Sequence, residues 1–454
     1  MLKFLKAPPS KPLITEEKID KTYKRLRLQV FLGIFIGYAA YYLIRKNFAL
    51  AMPDLIKQGF TKTELGFAIS FLAISYGLSK FIMGNVSDRS NVRFFMPLGL
   101  LLSAITMIIM GIFPVATSSI LIMSVLLFLN GWFQGMGWPP SGRTMVHWFS
   151  ITERGTKMSF WNIAHNIGGA LMPILAILGV ELFADWRAKF YFPGMIAIGI
   201  SILIFILLRD TPRSVGLPSI EEWKNDYPEN HKEKTEEEKN NGISAMEIFT
   251  KHILPNKLLW SIALANAFVY LVRYGIQDWA PTYLIEVKGF TEQASSWAYS
   301  AYEIAAIPGT LLSGWLSDKV FNGKRAPVSI IYMVLIVIAI FVYWQNPVGH
   351  PVIDNICLIS IGFLIYGPVM LIGVHALDLV NKEAAGTAAG LTGLFGYFLG
   401  TSILANIVGG YIIENYEWNG YFIMMILASI VSIFLIALTI QRPKKINLKQ
   451  DQQV

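Results

Sequence analysis

Residues 41–53 read YYLIRKNFALAMP, and residues 269–281 read VYLVRYGIQDWAP. In each, an arginine follows a tyrosine-bearing apolar run and a proline closes the stretch. Arg45 and Arg273 are 228 residues apart, and Pro53 and Pro281 keep that offset. After a two-residue slip, Gly59-Phe60-Thr61 matches Gly289-Phe290-Thr291, and GNVSD at 84–88 matches GWLSD at 314–318. Gly155-Thr156 then matches Gly386-Thr387, and Gly169 matches Gly400. One short match in apolar sequence is coincidence; several in order, at a nearly constant offset, are not. The chain reads as a tandem duplication.

The duplicated unit is a set of membrane spans. The chain has 454 residues, 54% hydrophobic and 15% charged, with mean hydropathy +0.50. A soluble chain carries about 25% charge. Apolar stretches long enough to cross a bilayer are expected near 28–52, 63–86, 94–114, 118–142, 156–181 and 188–208. A second set is expected near 257–282, 293–316, 326–345, 353–377, 385–413 and 419–441. The expected fold is therefore an all-α membrane protein, twelve transmembrane helices in two pseudo-symmetric six-helix halves. The halves are 28–208 and 257–441. A basic arm (1–27), a polar linker (209–256, with EEWKNDYPENHKEKTEEEKNNG) and a tail (442–454) complete it.

Net charge is +8 and pI about 9.2, which raises the question of nucleic acid. The positions of the charges answer it. Basic residues gather in the arm, around Arg89 and Arg93, at Arg143, Arg154 and Lys157, around Lys319, Lys324 and Arg325, and at Arg442, Lys444 and Lys445. All fall on one side of the twelve-span layout. The opposite loops balance their bases with acids, as in Asp54/Lys57 and Glu286/Lys288. This is the positive-inside pattern, so both termini are expected in the cytoplasm and no nucleic-acid partner is implied. The arm has no apolar core or small-residue cleavage site, unlike a secretory signal. The lone Cys357 excludes an internal disulfide.

Charges inside spans are costly, about 2.5–3.5 kcal/mol each on insertion scales. Arg45 and Lys46 admit a plain reading, since 28–44 could span alone and leave both snorkelling at the interface. Against it, NFALAM continues the expected helix without charge to Pro53, and Arg273 recurs at the equivalent place. In parallel repeats, equivalent residues of spans 1 and 7 lie at equal depth and can face one another near the midplane, where transporters bind substrate. Two guanidiniums there suit a dianion with several acceptor oxygens. Phosphate fits, because arginine presents planar forks of donors.

Other polar residues extend this picture. His165 can donate to a phosphate oxygen when protonated, or it can be a packing histidine bonded to a carbonyl. Lys80 can attract anions. Lys46–Asp278 and Lys80–Glu303 are plausible pairs, either as static compensation or as gate elements. Tyr38, Tyr42, Tyr270, Tyr274 and Tyr366 can line a polar pore, though tyrosine is also an interfacial residue. His375 and Asp378 read as interfacial. The glycine-rich GWFQGMGWPPSG and GLTGLFGYFLG suit close helix packing. They are not nucleotide loops, because no strand precedes them and no P-loop lysine follows. No catalytic constellation is visible, so the expectation is a transporter and not an enzyme.

With these residues in view, GYAAYYLIRKNFALAMP, GFAISFLAISYGLSKFIMGNVSDRSN, GWFQGMGWPPSGRTMVHW, ERGTKMSFWNIAHNIGGA, LPNKLLW and FLIYGPVMLIGVHALDL closely resemble the organophosphate:phosphate antiporter family of the major facilitator superfamily. The resemblance runs over nearly the whole chain. It implies exchange of external glycerol 3-phosphate for internal inorganic phosphate by rocker-switch alternating access in a bacterial inner membrane, by a monomer without cofactor. It puts the family's substrate arginines on Arg45 and Arg273 and its site histidine on His165. It also implies a latching role at the cytoplasmic loops for Gly84/Asp88 with Arg89 and Arg93, and for Gly314/Asp318 with Lys319. Hexose 6-phosphates and phosphoglycerates share the phosphate group, so the arginines do not separate them. A non-transporting organophosphate sensor would want an altered gate or an added signalling segment. Proton-coupled drug efflux would want a titratable acid and apolar walls in the cavity.

Overall fold

The computed structural model describes residues 5–226, 249–380 and 384–440. The tail bases Arg442, Lys444 and Lys445 and the linker core 227–248 lie outside the described residues. The first half is built from α1 (Glu16–Leu43), α2 (Asn47–Lys57), α3 (Lys62–Asp88), α4 (Val92–Ile112), α5 (Ile120–Gln134), α6 (Trp138–Trp148), α7 (Ile151–Phe183) and α8 (Ala188–Leu207). A short α9 (Ile220–Lys224) follows. The second half contains α10 (Lys257–Glu286), α11 (Glu292–Trp315), α12 (Arg325–Gln345) and α13 (Pro351–Asp378). It ends with α14 (Ala385–Leu394), a π-helical segment (Phe395–Val408) and α15 (Gly409–Ala437).

The repeated Gly-Phe-Thr is a helix start. Gly59 and Gly289 have φ of +99° and +69°, left-handed values that glycine adopts without a side-chain clash. The threonine two residues on caps the next helix. Thr61 Oγ1 accepts from Glu64 N at 3.2 Å and Thr291 Oγ1 from Ala294 N at 3.1 Å, each satisfying an orphan amide of the first turn.

Ten stretches among the described residues are long and apolar enough to cross a membrane, not twelve. The spans expected at 385–413 and 419–441 form one helical run, Thr387–Ala437, turned at Glu417, where φ is 58° and ψ −175°. The span expected at 293–316 is the helix Glu292–Trp315, whose serines and two glutamates keep it out of the ten.

Two expectations need correction. The first span is not one continuous helix. It breaks at 44–46, with Ile44 at φ −124° and Lys46 at φ −115°, whereas α10 runs unbroken through Arg273. The break is supported from α5. Asn130 Nδ2 donates to the Ile44 carbonyl at 3.0 Å and Gln134 Nε2 to the Tyr41 carbonyl at 2.9 Å, so buried carbonyls at the break keep partners. The second correction concerns Gly169 and Gly400. A Cβ on Gly400 would meet the Ala267 carbonyl oxygen at 2.2 Å and Tyr270 Cβ at 2.9 Å. The residue with the equivalent contacts is Gly168, facing Ala39 O at 2.1 Å and Tyr42 Cβ at 2.8 Å. The offset therefore grows by one residue after Gly386. The π-helical segment absorbs it, since i→i+5 bonding accommodates an inserted residue.

Within the halves, α3 packs on α5 and α4 on α8, while α11 packs on α13 and α10 on the π-helical segment. Between halves, α7 meets α11, α3 meets the π-helical segment and α15, and α2 meets α10. One end of this seam is latched by charge. Lys189 Nζ lies 2.5 Å from Asp54 of its own half and 2.8 Å from Glu292 of the other. Lys62 Nζ lies 2.9 Å from Glu286, and Lys62 N donates to Glu414 Oε2 at 2.8 Å. At the opposite end the pairs Arg143–Asp210 (2.8 Å), Arg27–Glu153, Arg325–Asp318 and Arg325–Asp378 (3.5 Å) each close within one half. There the N-terminal arm is tied down by a bridge between Lys6 and Ser90.

Candidate functional site

Arg45 and Arg273 are brought to the seam from opposite halves, each almost fully buried. Arg45 lies between two rings, its guanidinium carbon 4.2 Å from the centroids of both Tyr42 and Tyr76. Arg273 lies over Tyr366 at 4.3 Å and Tyr274 at 4.9 Å, with Tyr270 at 5.9 Å. Such cation–π contacts stabilise a desolvated guanidinium without using its N–H donors. Arg45 donates from Nε to Gln134 Oε1 at 3.1 Å. Its two terminal nitrogens, and Arg273 Nε, are buried without a hydrogen-bond partner. Buried donors of a charged group are expensive to leave unsatisfied, and these atoms are free to donate to an acceptor.

Aromatic contacts link the two arginines by two routes. One runs from Tyr42 to the His165 ring (5.3 Å) and on to Tyr366 (5.8 Å). The other runs from Tyr76 to Tyr397 (4.8 Å) and then to Tyr270 (5.2 Å) and Tyr274 (5.9 Å). Tyr38 sits at the edge of the first route, 5.5 Å from Tyr42 and stacked on Trp161 at 4.5 Å. Two small gaps flank Arg45, one lined by Tyr42, Lys46, Tyr274, Gln277 and Glu303 and the other by Tyr76, Tyr397 and Thr401. A cavity of about 580 Å³ opens elsewhere, at the latched end, lined by Lys62, Tyr283, Trp344 and Trp418. Neither arginine reaches it, so volume alone does not locate the site.

Two acids sit beside the arginines. Lys46 Nζ lies 2.5 Å from Asp278 Oδ1, across the seam, and Asn406 Nδ2 donates to Asp278 Oδ2 at 3.1 Å. Lys46 also lies 4.3 Å from the Tyr274 ring. Glu303 is not paired with Lys80, which corrects the second expected pair. Its carboxylate accepts from Gln277 Nε2 at 2.5 Å, Tyr366 OH at 2.9 Å and, across the seam, Asn166 Nδ2 at 3.3 Å. Three neutral donors satisfy the lone pairs of this carboxylate without a lysine. Lys80 is instead half-buried, 4.9 Å from the Trp138 ring.

The loop residues stand apart. Asp88 and Arg89 are exposed at the end of α3. Asp318 is paired with Arg325 and not with Lys319, because Arg325 opens the next helix and points back over the turn. Tyr76, Tyr397, Gln134, Gln277 and Asn166 join the site without being expected from the sequence. Gln134 and Gln277 stood in quoted stretches, but an amide inside an apolar span carries no charge to single it out.

The chain matches the model of the Major Facilitator Superfamily over residues 34–405. It is 57% identical over 439 residues to a glycerol-3-phosphate transporter of Bacillus subtilis (strain 168), covering 97% of this chain and 98% of that protein. It is 53% identical to a glycerol-3-phosphate transporter of Haemophilus influenzae, with 92% of each covered. Among solved structures it resembles a bacterial homologue of the human lysosomal transporter Spinster in an inward-facing, unoccupied conformation. That match has 16% identity and a TM-score of 0.69, covering 91% of this chain and 95% of the other.

Proposed function

Because this chain belongs to the Major Facilitator Superfamily, we propose that it imports glycerol 3-phosphate in exchange for inorganic phosphate, binding the shared phosphate group between Arg45 and Arg273. The carrying observation is the set of buried, unpartnered guanidinium nitrogens meeting at the seam from both halves. The names of the B. subtilis and H. influenzae relatives support the choice of substrate. The chain sits in the bacterial inner membrane with both termini cytoplasmic, and it works as a monomer of two six-helix halves.

Exchange follows from charge. An arginine pair in low dielectric resists reorientation while uncompensated, so a phosphate group must be bound before the halves rock. The Lys189–Glu292 and Lys62–Glu286 pairs join the halves at the periplasmic end in this reading, and the protein is closed there. Binding supplies the free energy that lets such pairs part, and Lys46–Asp278 is remade in each cycle. Asp88, Arg89 and Asp318 latch the cytoplasmic loops in the opposite state.

The test is counterflow in phosphate-loaded proteoliposomes, offering labelled glycerol 3-phosphate against glucose 6-phosphate. Uptake of the former is expected. Uptake of only the latter would move the chain to a hexose-phosphate antiporter, and exchange of neither would make it a sensor. In the same assay Arg45→Lys is expected to cut exchange more than about tenfold, because an ammonium cannot fork onto two phosphate oxygens. Exchange at the full rate would remove the bidentate site.

A further inference from the structure

The two arginines of the seam are not held alike, and the difference points to a residue that sets the position of one of them. Gln134 lies at the end of α5, 1% exposed. Its amide faces two ways. Oε1 accepts from Arg45 Nε at 3.1 Å, while Nε2 donates to the Tyr41 carbonyl at 2.9 Å and to Ser103 Oγ at 3.0 Å. Ser103 Oγ in turn donates to Asn130 Oδ1 at 2.7 Å, and Asn130 holds the Ile44 carbonyl. Every polar atom of the Gln134 amide is thus committed. The one bond it makes to Arg45 takes up Nε and leaves both terminal nitrogens of the guanidinium open.

The repeat lacks this device in its second copy. Gly131 and Gly362 are structural counterparts. A Cβ on Gly131 would meet the Leu72 carbonyl oxygen at 2.3 Å, and one on Gly362 the Tyr302 carbonyl oxygen at 2.3 Å. Three residues further on, Gln134 corresponds to Ile365, and one residue earlier Asn130 corresponds to Ile361. Both isoleucines are fully buried and can offer no hydrogen bond. Consistently, α10 is unbroken at Arg273, and Arg273 Nε has no partner. The amides, the helix break and the pinned guanidinium occur together in the first half and are absent together from the described part of the second.

We infer that Gln134 is a positioning residue that fixes the Arg45 fork for phosphate, making Arg45 the rigid arm of the site and Arg273 the arm that adjusts. The inference rests on the phosphate-site reading above. Fixing one arm limits the freedom lost when the anion binds, and leaving the other unpinned lets one site take both a free phosphate and a phosphate ester.

The test separates positioning from mere support of the break. Gln134→Met keeps the volume and removes the amide. Asn130→Leu removes the other amide of the same break, which holds the Ile44 carbonyl and accepts from Ser103 Oγ but makes no bond to Arg45 or Gln134. In phosphate-loaded proteoliposomes, Gln134→Met is expected to raise the KM for phosphate and for glycerol 3-phosphate alike, by about tenfold, the scale of one charge-assisted hydrogen bond. Asn130→Leu is expected to lower Tm at least as much while leaving KM within about twofold of the parent. Should Gln134→Met not assemble, Ser103→Ala loosens the same amide, and a KM rise of about threefold is expected. If KM changes in both amide variants only in proportion to Tm, Gln134 is a structural brace and the inference is overturned. Arg45→Lys distinguishes the two levels. If it leaves KM and rate unchanged, the phosphate-site reading itself has failed. If it disables exchange while Gln134→Met behaves like Asn130→Leu, only the positioning role has.

Discussion

Lys46 and Arg45 are adjacent and do different work. Arg45 stays in its own half, held by an amide and two rings, with donors to spare. Lys46 crosses the seam to Asp278, whose carboxylate is completely buried. Removing one partner of such a pair strands the other charge, which costs about 3–5 kcal/mol, whereas replacing both by apolar groups of similar size is often neutral. Asp278→Asn is therefore expected to lower the Tm of the detergent-solubilised protein markedly, and Lys46→Met with Asp278→Leu to recover most of the loss. Equal melting of the single and double variants would show that the pair is not coupled. Lys80 was expected to be the analogous partner of Glu303 and is not. Three neutral donors satisfy that carboxylate, and residue types alone could not distinguish these donors from a lysine.

Among the elements, the crossings of α1 with α7 and of α10 with the π-helical segment are the same contact made twice. At each, a glycine lets a backbone carbonyl approach to where a Cβ would stand, Gly168 against Ala39 and Gly400 against Ala267. A side chain there must push rigid backbone apart. Gly400→Val is expected to destabilise by about 1–3 kcal/mol, read as lower Tm and less assembled protein. Gly393 lies in α14, seven residues before Gly400, with nothing within 4 Å of an added Cβ, so Gly393→Ala is the control. It is expected to be tolerated or to stabilise by up to about 1 kcal/mol through helix propensity. The reverse order would mean that the crossing is looser than its geometry. The glycine-rich GLTGLFGYFLG makes the second of these crossings legible in the sequence. The one-residue shift from Gly169 to Gly168 is not, because a π-helical insertion changes the offset without changing composition.

At the scale of the molecule, the seam is latched at one end, while among the described residues the charge pairs at the other end close within each half. Lys189 is the centre of the latch, buried between Asp54 and Glu292. Glu292→Gln removes the charge contributed by the second half while Asp54 still neutralises Lys189, so the fold survives and the balance between states shifts. An introduced Ser300→Cys can report it, in a Cys357→Ser background. Ser300 is buried and donates across the seam to the Ala170 carbonyl at 2.8 Å. A thiol reagent is expected to label it several-fold faster with Glu292→Gln than without. An unchanged rate would mean the latch carries no share of closure.

Sequence by itself determined the helical class, the repeated motifs, the helix starts at Gly-Phe-Thr and the recurrence of an arginine at equivalent places. Each of these is written in local chemistry: apolar runs, a cap and a glycine that takes left-handed φ, and charges that are costly to place in lipid. Only the tertiary structure decided the break at 44–46, the tyrosines Tyr76 and Tyr397, the donors around Glu303 and the amide of Gln134 beside Arg45. Those depend on which uncharged side chains meet when separate helices cross. A hydrogen bond between residues such as Gln134 and Arg45 has no periodicity and no net charge to announce it along the chain.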